Sequence, residues 1–187
     1  SLEFLEIIID DFETEKGWSF TGEFERGVPS NMYQPYFANS GYYSIGTDLT
    51  GLGSQIHLYE NGITEGSAFS ATSPAMDVSR FTSLKVHFAS WITILNGDSI
   101  KVELSSHPLW KNSEGEIWEF GFAERVIDVP EAYTSSTELR FRFSLFHSSA
   151  AGAVAEGWHI DDFSVSGDLV EDEPGYLSSP SYDLTGI

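Results

Sequence analysis

The residues best placed to do chemistry are carboxylates. Asp161 and Asp162 are adjacent within an otherwise apolar run, Gly157-Trp158-His159-Ile160-Asp161-Asp162-Phe163-Ser164-Val165. Two neighbouring carboxylates in a strand are expensive to desolvate unless positive charge meets them, and no Lys or Arg lies nearby in sequence. A bound cation meets that need. Oxygen ligands on an irregular backbone suit Ca²⁺, which takes about six to eight of them. Asp11, Glu13 and Asp48 are the further acids that an N-terminal strand and a glycine-rich loop would supply, if the chain termini pair as neighbouring strands. The candidate metal ligands are therefore Asp11, Glu13, Asp48, Asp161 and Asp162. The ion would be structural, because no general base beside it is available to activate water. The competing reading is that these acids cap turns and accept from backbone N–H groups.

Catalytic patterns fail on inspection. Glu116 and Glu119, three apart with Trp118 between them, face opposite sides of a strand, whereas the paired acids of a jelly-roll glycoside hydrolase must share a face. Gly97-Asp98-Ser99-Ile100 imitates an esterase nucleophile block, yet it reads as a hairpin turn and no Asp-x-x-His follows. The five histidines, at 57, 87, 107, 147 and 159, have no metal-ligand spacing. His87 and His159 read as outward-facing strand residues. The expectation is a protein that is not an enzyme.

Aromatic residues offer a binding chemistry instead. Trp110, Trp118, Tyr33, Tyr36, Tyr42 and Tyr43 fall in or near loops, where a ring face can stack on a sugar or anchor an interface. Trp110, which follows Pro108 in a polar stretch, is the expected exposed ligand-binding residue. Trp18, Trp91 and Trp158 read as core.

These groups must be positioned by strands, since helical periodicity is hard to find. Leu84, Val86 and Phe88 alternate with polar residues, as do Ile100, Val102 and Leu104, and Leu139, Phe141, Phe143 and Leu145. Trp118, Phe120 and Phe122 predict a further strand, and one from Val126 to Val129 stops at Pro130. Asn96-Gly97 and Asn61-Gly62 are turn signals. Many short strands without helices predict an all-β protein, a jelly-roll β-sandwich of two antiparallel sheets. Within it, Trp158 and Ile160 are out of phase with Phe163 and Val165, which predicts a β-bulge at Asp161-Asp162. Residues 22–53 carry little alternation, and a long excursion of this kind is usually functional or pinned by something.

Composition bounds the rest. The 187 residues carry 29 Asp and Glu against 9 Lys and Arg, a net charge of −20, which excludes the basic patch needed for nucleic acid or anionic membranes. No apolar run reaches the roughly 18 residues of a membrane span. Cysteine is absent, so neither disulfides nor thiolate metal sites contribute. Residues 1–168 read as one module. Residues 169–187 read as an acidic linker, Glu171-Asp172-Glu173-Pro174-Gly175, followed by a segment that echoes Ser73-Pro74-Ala75-Met76-Asp77-Val78-Ser79 as Ser179-Pro180-Ser181-Tyr182-Asp183-Leu184-Thr185. That echo suggests neighbouring domains of the same polypeptide.

Five stretches, in order, resemble one family: Asp11-Phe12-Glu13 with Gly17-Trp18; Gly22 to Pro29; Ala38-Asn39-Ser40-Gly41 leading to Gly46-Thr47-Asp48-Leu49-Thr50-Gly51; Thr72 to Ser79; and Gly157 to Phe163. Together they look like the bacterial MAM-like jelly-roll modules of immune-inhibitor-A-type secreted metalloproteases and of gingipain-like cleaved adhesins. The resemblance implies a noncatalytic accessory module, secreted or at the cell surface, with a structural calcium and a glycan or extracellular protein as partner. Two departures stand out. Ser44-Ile45 replaces a Trp that often precedes the Gly-Thr-Asp-Leu segment, and Ser106-His107-Pro108-Leu109-Trp110 replaces an Asp-Gly-Gly hairpin. A spacer domain without a ligand of its own, or a hydrolase on the same sandwich, are the alternative readings.

Overall fold

Alternation of apolar and polar residues is resolved into two packed antiparallel sheets. A computed structural model describes residues 4–30, 35–51, 58–59, 69–105, 107–112, 115–147 and 155–169. Seven strands form one sheet: β1 (Phe4–Asp10), β3 (Phe24–Gly27), β4 (Ser44–Thr47), β6 (Phe81–Ile94), β9 (Ile117–Trp118), β10 (Ala123–Val129) and β12 (Gly157–Leu169). Its main path runs β10-β6-β12-β4-β3, with β1 added to β12 and β9 to β6. The second sheet runs β2 (Ser19–Thr21), β5 (Phe69–Thr72), β11 (Phe141–Phe146), β7 (Ser99–Leu104), β8 (His107–Lys111). Among the described residues the only helical element is a 3₁₀ turn, Glu131–Tyr133. This is the jelly-roll sandwich that the alternation predicts.

One apolar cluster fills the space between the sheets. It takes Leu84, Val86, Phe88 and Ile92 from β6, Ile100, Val102 and Leu104 from β7, and Phe141, Phe143 and Leu145 from β11. β12 contributes Trp158, Ile160, Phe163 and Val165, so both out-of-phase pairs reach the same core. Full burial of each such side chain is worth about 1.5–3 kcal/mol. The predicted bulge reconciles the phases. The register of β12 on β6 shifts between Asp161 and Ser164, and Asp162 takes a left-handed φ of 48°.

The bulge coincides with a change of neighbour on the other side of β12. His159 and Ile160 pair with Gly46 and Ile45 of β4, whereas Phe163 to Asp168 pair with β1. The first and last strands are thus neighbours, which carries residues 10–13 toward Asp161-Asp162.

Several expectations need correcting. Trp110 lies on the edge strand β8, opposite Val102, and not in a loop. The segment with Trp118, Phe120 and Phe122 makes ladder pairs only at Ile117 and Trp118. β6 is 14 residues long, and its outward positions Ala89, Trp91 and Thr93 are buried as well as its inward ones. Something covers that outer face. Asn61-Gly62, the linker and the C-terminal echo lie outside the described residues.

Candidate binding surface

The outer face at the bulge is held together by carboxylates. Asp161 is buried. It accepts the N–H of Ser40 at 3.0 Å on one oxygen and that of Asp162 at 2.8 Å on the other. Asp162 accepts from Asn39 Nδ2 at 2.6 Å and from the Ser40 hydroxyl. Glu13 takes the N–H groups of Tyr42 and Tyr43, both at 2.7 Å on Oε1. Gly41 packs so closely on Glu13 that a Cβ there would fall 2.3 Å from the same oxygen, and its φ of 57° also favours glycine. Three acids, one just beyond β1 and two at the bulge within β12, therefore grip one loop, 39–43, which pins part of the long excursion between β3 and β4.

The other two expected ligands are elsewhere. Asp11 is exposed and accepts the Glu13 N–H at 3.2 Å in a local turn. Its neighbour Asp10 is the buried one, accepting from Phe12 N at 2.9 Å and Trp18 Nε1 at 2.8 Å, with Lys16 Nζ at 3.6 Å. Asp48 is buried just beyond β4, its N–H on Glu23 O at 2.9 Å. The β4–β12 register sets it level with Gly157, four residues from Asp161, or roughly 13 Å at about 3.3 Å per residue. The five acids are split by strand geometry. Among the described residues, no group of three or more His, Asp or Glu side chains is disposed to hold a metal ion.

Burial without a counter-charge pushes Asp161 up to about 7, helped by the adjacent Asp162 and opposed by the loop's N–H donors. His159, beside it on the same outer face, is 1% exposed and not the solvated residue that its strand position suggests. Its ring rests on Gly46, where a Cβ would lie 2.4 Å from Cδ2. Neither ring nitrogen makes a well-formed hydrogen bond among the described residues; burial depresses its pKa to about 3 against an opposing backbone contact at Thr47, so the imidazole is neutral.

Above this floor lies an aromatic surface. Trp91, 3% exposed, is covered edge-on by Phe37 and Phe122, at ring-centroid distances of 6.1 and 5.7 Å. Trp118 pairs across from Thr93, so residues 118–122 run along β6 with Phe120 between the two contacts. Phe37 is 58% exposed, Tyr36 55%, Trp118 51% and Phe120 85%. Glu116 holds the Trp118 indole N–H at 3.3 Å. Beside this surface a groove of about 190 Å³ is lined by Asn39, His87, Glu124, Asp162 and Ser164. Sequence reading missed Phe37 and Phe120. The alternation of Trp118, Phe120 and Phe122 was the available signal, and it marked an exposed row instead of a core strand.

Trp110 faces inward. It is half-buried, its ring centroid 6.3 Å from that of Trp158, at an opening between the sheets. A second cluster without a sequence signal lies at the β6–β7 turn. Asp98 there accepts from Tyr59 OH, from Leu95 N at 3.0 Å and from His147 Nδ1 at 2.6 Å, with all three side chains buried.

No family model and no curated protein matches the sequence. Solved structures match it in fold. The K1 cleaved adhesin domain of Lys-gingipain from Porphyromonas gingivalis W83 aligns at 14% identity and a TM-score of 0.51, over 87% of this chain and 97% of that one. A cyclase from Fischerella sp. TAU aligns at 13% and 0.56, over 91% and 100%. The CBM22-1 xylan-binding domain of Paenibacillus barcinonensis Xyn10C aligns at 14% over 90% and 97%, with a TM-score of 0.48. One architecture serves an adhesin in one neighbour and a cyclase in another, so function must be argued from the site.

Proposed function

We propose that this chain is a noncatalytic extracellular binding module of the MAM-like type, whose outer sheet face takes a neutral glycan chain. The observation that carries this reading is the row of Phe37, Trp118 and Phe120, exposed around the buried Trp91 and flanked by a polar groove. Exposed large aromatics clustered on one face mark a contact surface. Ring faces stack on sugar C–H groups, while Asn39, Glu124 and His87 offer partners for hydroxyls. The net charge of −20 disfavours acidic polysaccharides. A glycan array decides the class: wild type should retain neutral polysaccharides and Trp118→Ala should lose them. Binding only to proteins would replace the ligand class, and binding to nothing would favour a spacer.

We further propose that the bulge takes a structural calcium ion. Asp161 and Asp162, with the oxygens of Asn39 and Ser40, are the hard donors that meet at the bulge, while Glu13 binds the same loop through Tyr42 and Tyr43. The ion would neutralise the acid pair, with which no Lys or Arg among the described residues forms an ion pair. Asp48, Asp11 and Glu13 drop out of the set. Melting temperature should fall with EGTA and recover with Ca²⁺, and Asp162→Ala should abolish the response. No response in wild type would mean that the hydrogen bonds to the loop suffice alone.

A further inference from the structure

The three asparagines among the described residues differ in what holds them. Asn39 donates through Nδ2 to Asp162 at 2.6 Å, and the N–H of the next residue, Ser40, is tied to Asp161 at 3.0 Å. Asn112 is 3% exposed, with Nδ2 on the Asp98 carbonyl at 3.2 Å and Oδ1 accepting from Ile100 N at 3.0 Å. Asn96 is exposed in the turn between β6 and β7 and is followed by Gly97, also exposed. Neither the Asn96 carboxamide nor the Gly97 N–H makes a hydrogen bond among the described residues. Gly97 has no Cβ to shield its nitrogen and takes a φ of 96°. The turn is closed by Asp98 N on Leu95 O at 3.1 Å and by Leu95 N on Asp98 Oδ2 at 3.0 Å. Asn96-Gly97 is therefore the link that sets where the buried Asp98 sits.

We propose that Asn96 is a site of spontaneous covalent modification, deamidation to isoaspartate, which loosens the Asp98 cluster. Asparagine is among the thermolabile side chains, and here both reacting groups are free and wet. The Gly97 nitrogen attacks Asn96 Cγ. The new N–Cγ bond forms, the Cγ–Nδ2 bond breaks, and Nδ2 leaves as ammonia with the Gly97 proton, closing a succinimide ring. Water then adds to one ring carbonyl. Opening at the original backbone bond leaves isoaspartate, with Gly97 joined through the former side-chain carbonyl; opening on the other side leaves aspartate. Only water is consumed. Isoaspartate lengthens the backbone by one methylene between Leu95 and Asp98. The two bonds that close the turn then no longer match, and the carboxylate is drawn away from Tyr59 and His147.

The test is timed incubation of the 187-residue chain in mildly alkaline buffer, followed by peptide mapping with mass spectrometry and isoaspartate methylation. The Asn96 peptide should convert at least tenfold faster than those of Asn39 and Asn112. Asn61, also followed by glycine, lies outside the described residues, so an Asn96→Gln chain aged in parallel carries any change there alone. Aged wild type, separated by its added negative charge, should melt at least about 2 °C below Asn96→Asp, which has the same charge without the extra methylene. Aged Asn96→Gln should lose less of its melting temperature than aged wild type. Should either variant fail to fold, the peptide map and melting curves of wild type before and after ageing decide. Conversion of Asn96 no faster than that of Asn39 would overturn the proposal. So would isoaspartate at 96 without a lower melting temperature, or an equal loss in aged Asn96→Gln.

Discussion

Asp98 and Asp161 are both buried, yet their surroundings treat the charge in opposite ways. Asp98 receives an imidazole, a phenol and a backbone N–H, so its turn is stitched to two distant segments. Asp161 receives only backbone N–H groups and sits against a second carboxylate, and its pKa rises to about 7. The first arrangement is a structural cluster in which donors meet the buried charge. The second is a pair of carboxylates held by hydrogen bonds alone, in which protonation of Asp161 relieves the charge that burial disfavours. Burial alone does not show which carboxylate is available to a ligand; the donors around it do.

The largest effect should come from breaking the Asp98 cluster. Asp98→Ala removes the common acceptor of His147, Tyr59 and Leu95, and loss of one partner in a buried charged network costs about 3–5 kcal/mol. Urea unfolding measures it, and a loss below about 1 kcal/mol would show that the cluster tolerates the deletion. Asp162→Ala should cost less, about 1–3 kcal/mol for the lost anchors to Asn39 and Ser40. Its signature should be faster amide exchange confined to residues 39–43.

The Asp161 site also predicts a pH dependence. Asp161 is raised from 3.8, so its stabilising contribution is complete below about 4 and is lost as pH rises through about 7. His159 is lowered from 6.5, so its contribution is present above about 6.5 and is lost as pH falls toward 3. Between pH 4 and 6.5 the two oppose each other. Asp161→Asn removes one of them, so the stability of wild type relative to this variant should grow as pH falls from 7 to 4. Saturating Ca²⁺ should flatten that difference by holding Asp161 ionised. A difference that is flat without calcium would mean that Asp161 titrates normally. The smallest change should come from Asp128→Asn, which breaks a solvent-exposed pair with Lys85 and should leave the urea midpoint within error.

How much was legible in advance follows from the range of each interaction. The bulge was readable because Trp158, Ile160, Phe163 and Val165 lie within one strand, and two-residue periodicity makes a phase slip visible. Asp161 and Asp162 were marked by their adjacency in an apolar run, and Glu13 as a further acid beside the first strand, although their shared grip on residues 39–43 depends on pairing between the first and last strands. Asp48 belonged to the same motif set but is carried away by the β4–β12 register, which no local pattern encodes. The union of Asp98 with His147, 49 residues away, and with Tyr59, 39 residues away, left no trace in spacing. Trp110 shows the limit for aromatics. Composition nominates it, but only the pairing of β8 with β7 turns it inward.

The central claim is that the aromatic face over Trp91 takes neutral glycan chains. Affinity electrophoresis through gels containing laminarin, xylan or glucomannan, with wild type and Phe120→Ala side by side, tests it most directly. At least one polysaccharide should retard wild type, and Phe120→Ala should migrate in that gel as it does without glycan. Wild type unretarded in every gel, or a variant retarded as strongly as wild type, would contradict the account.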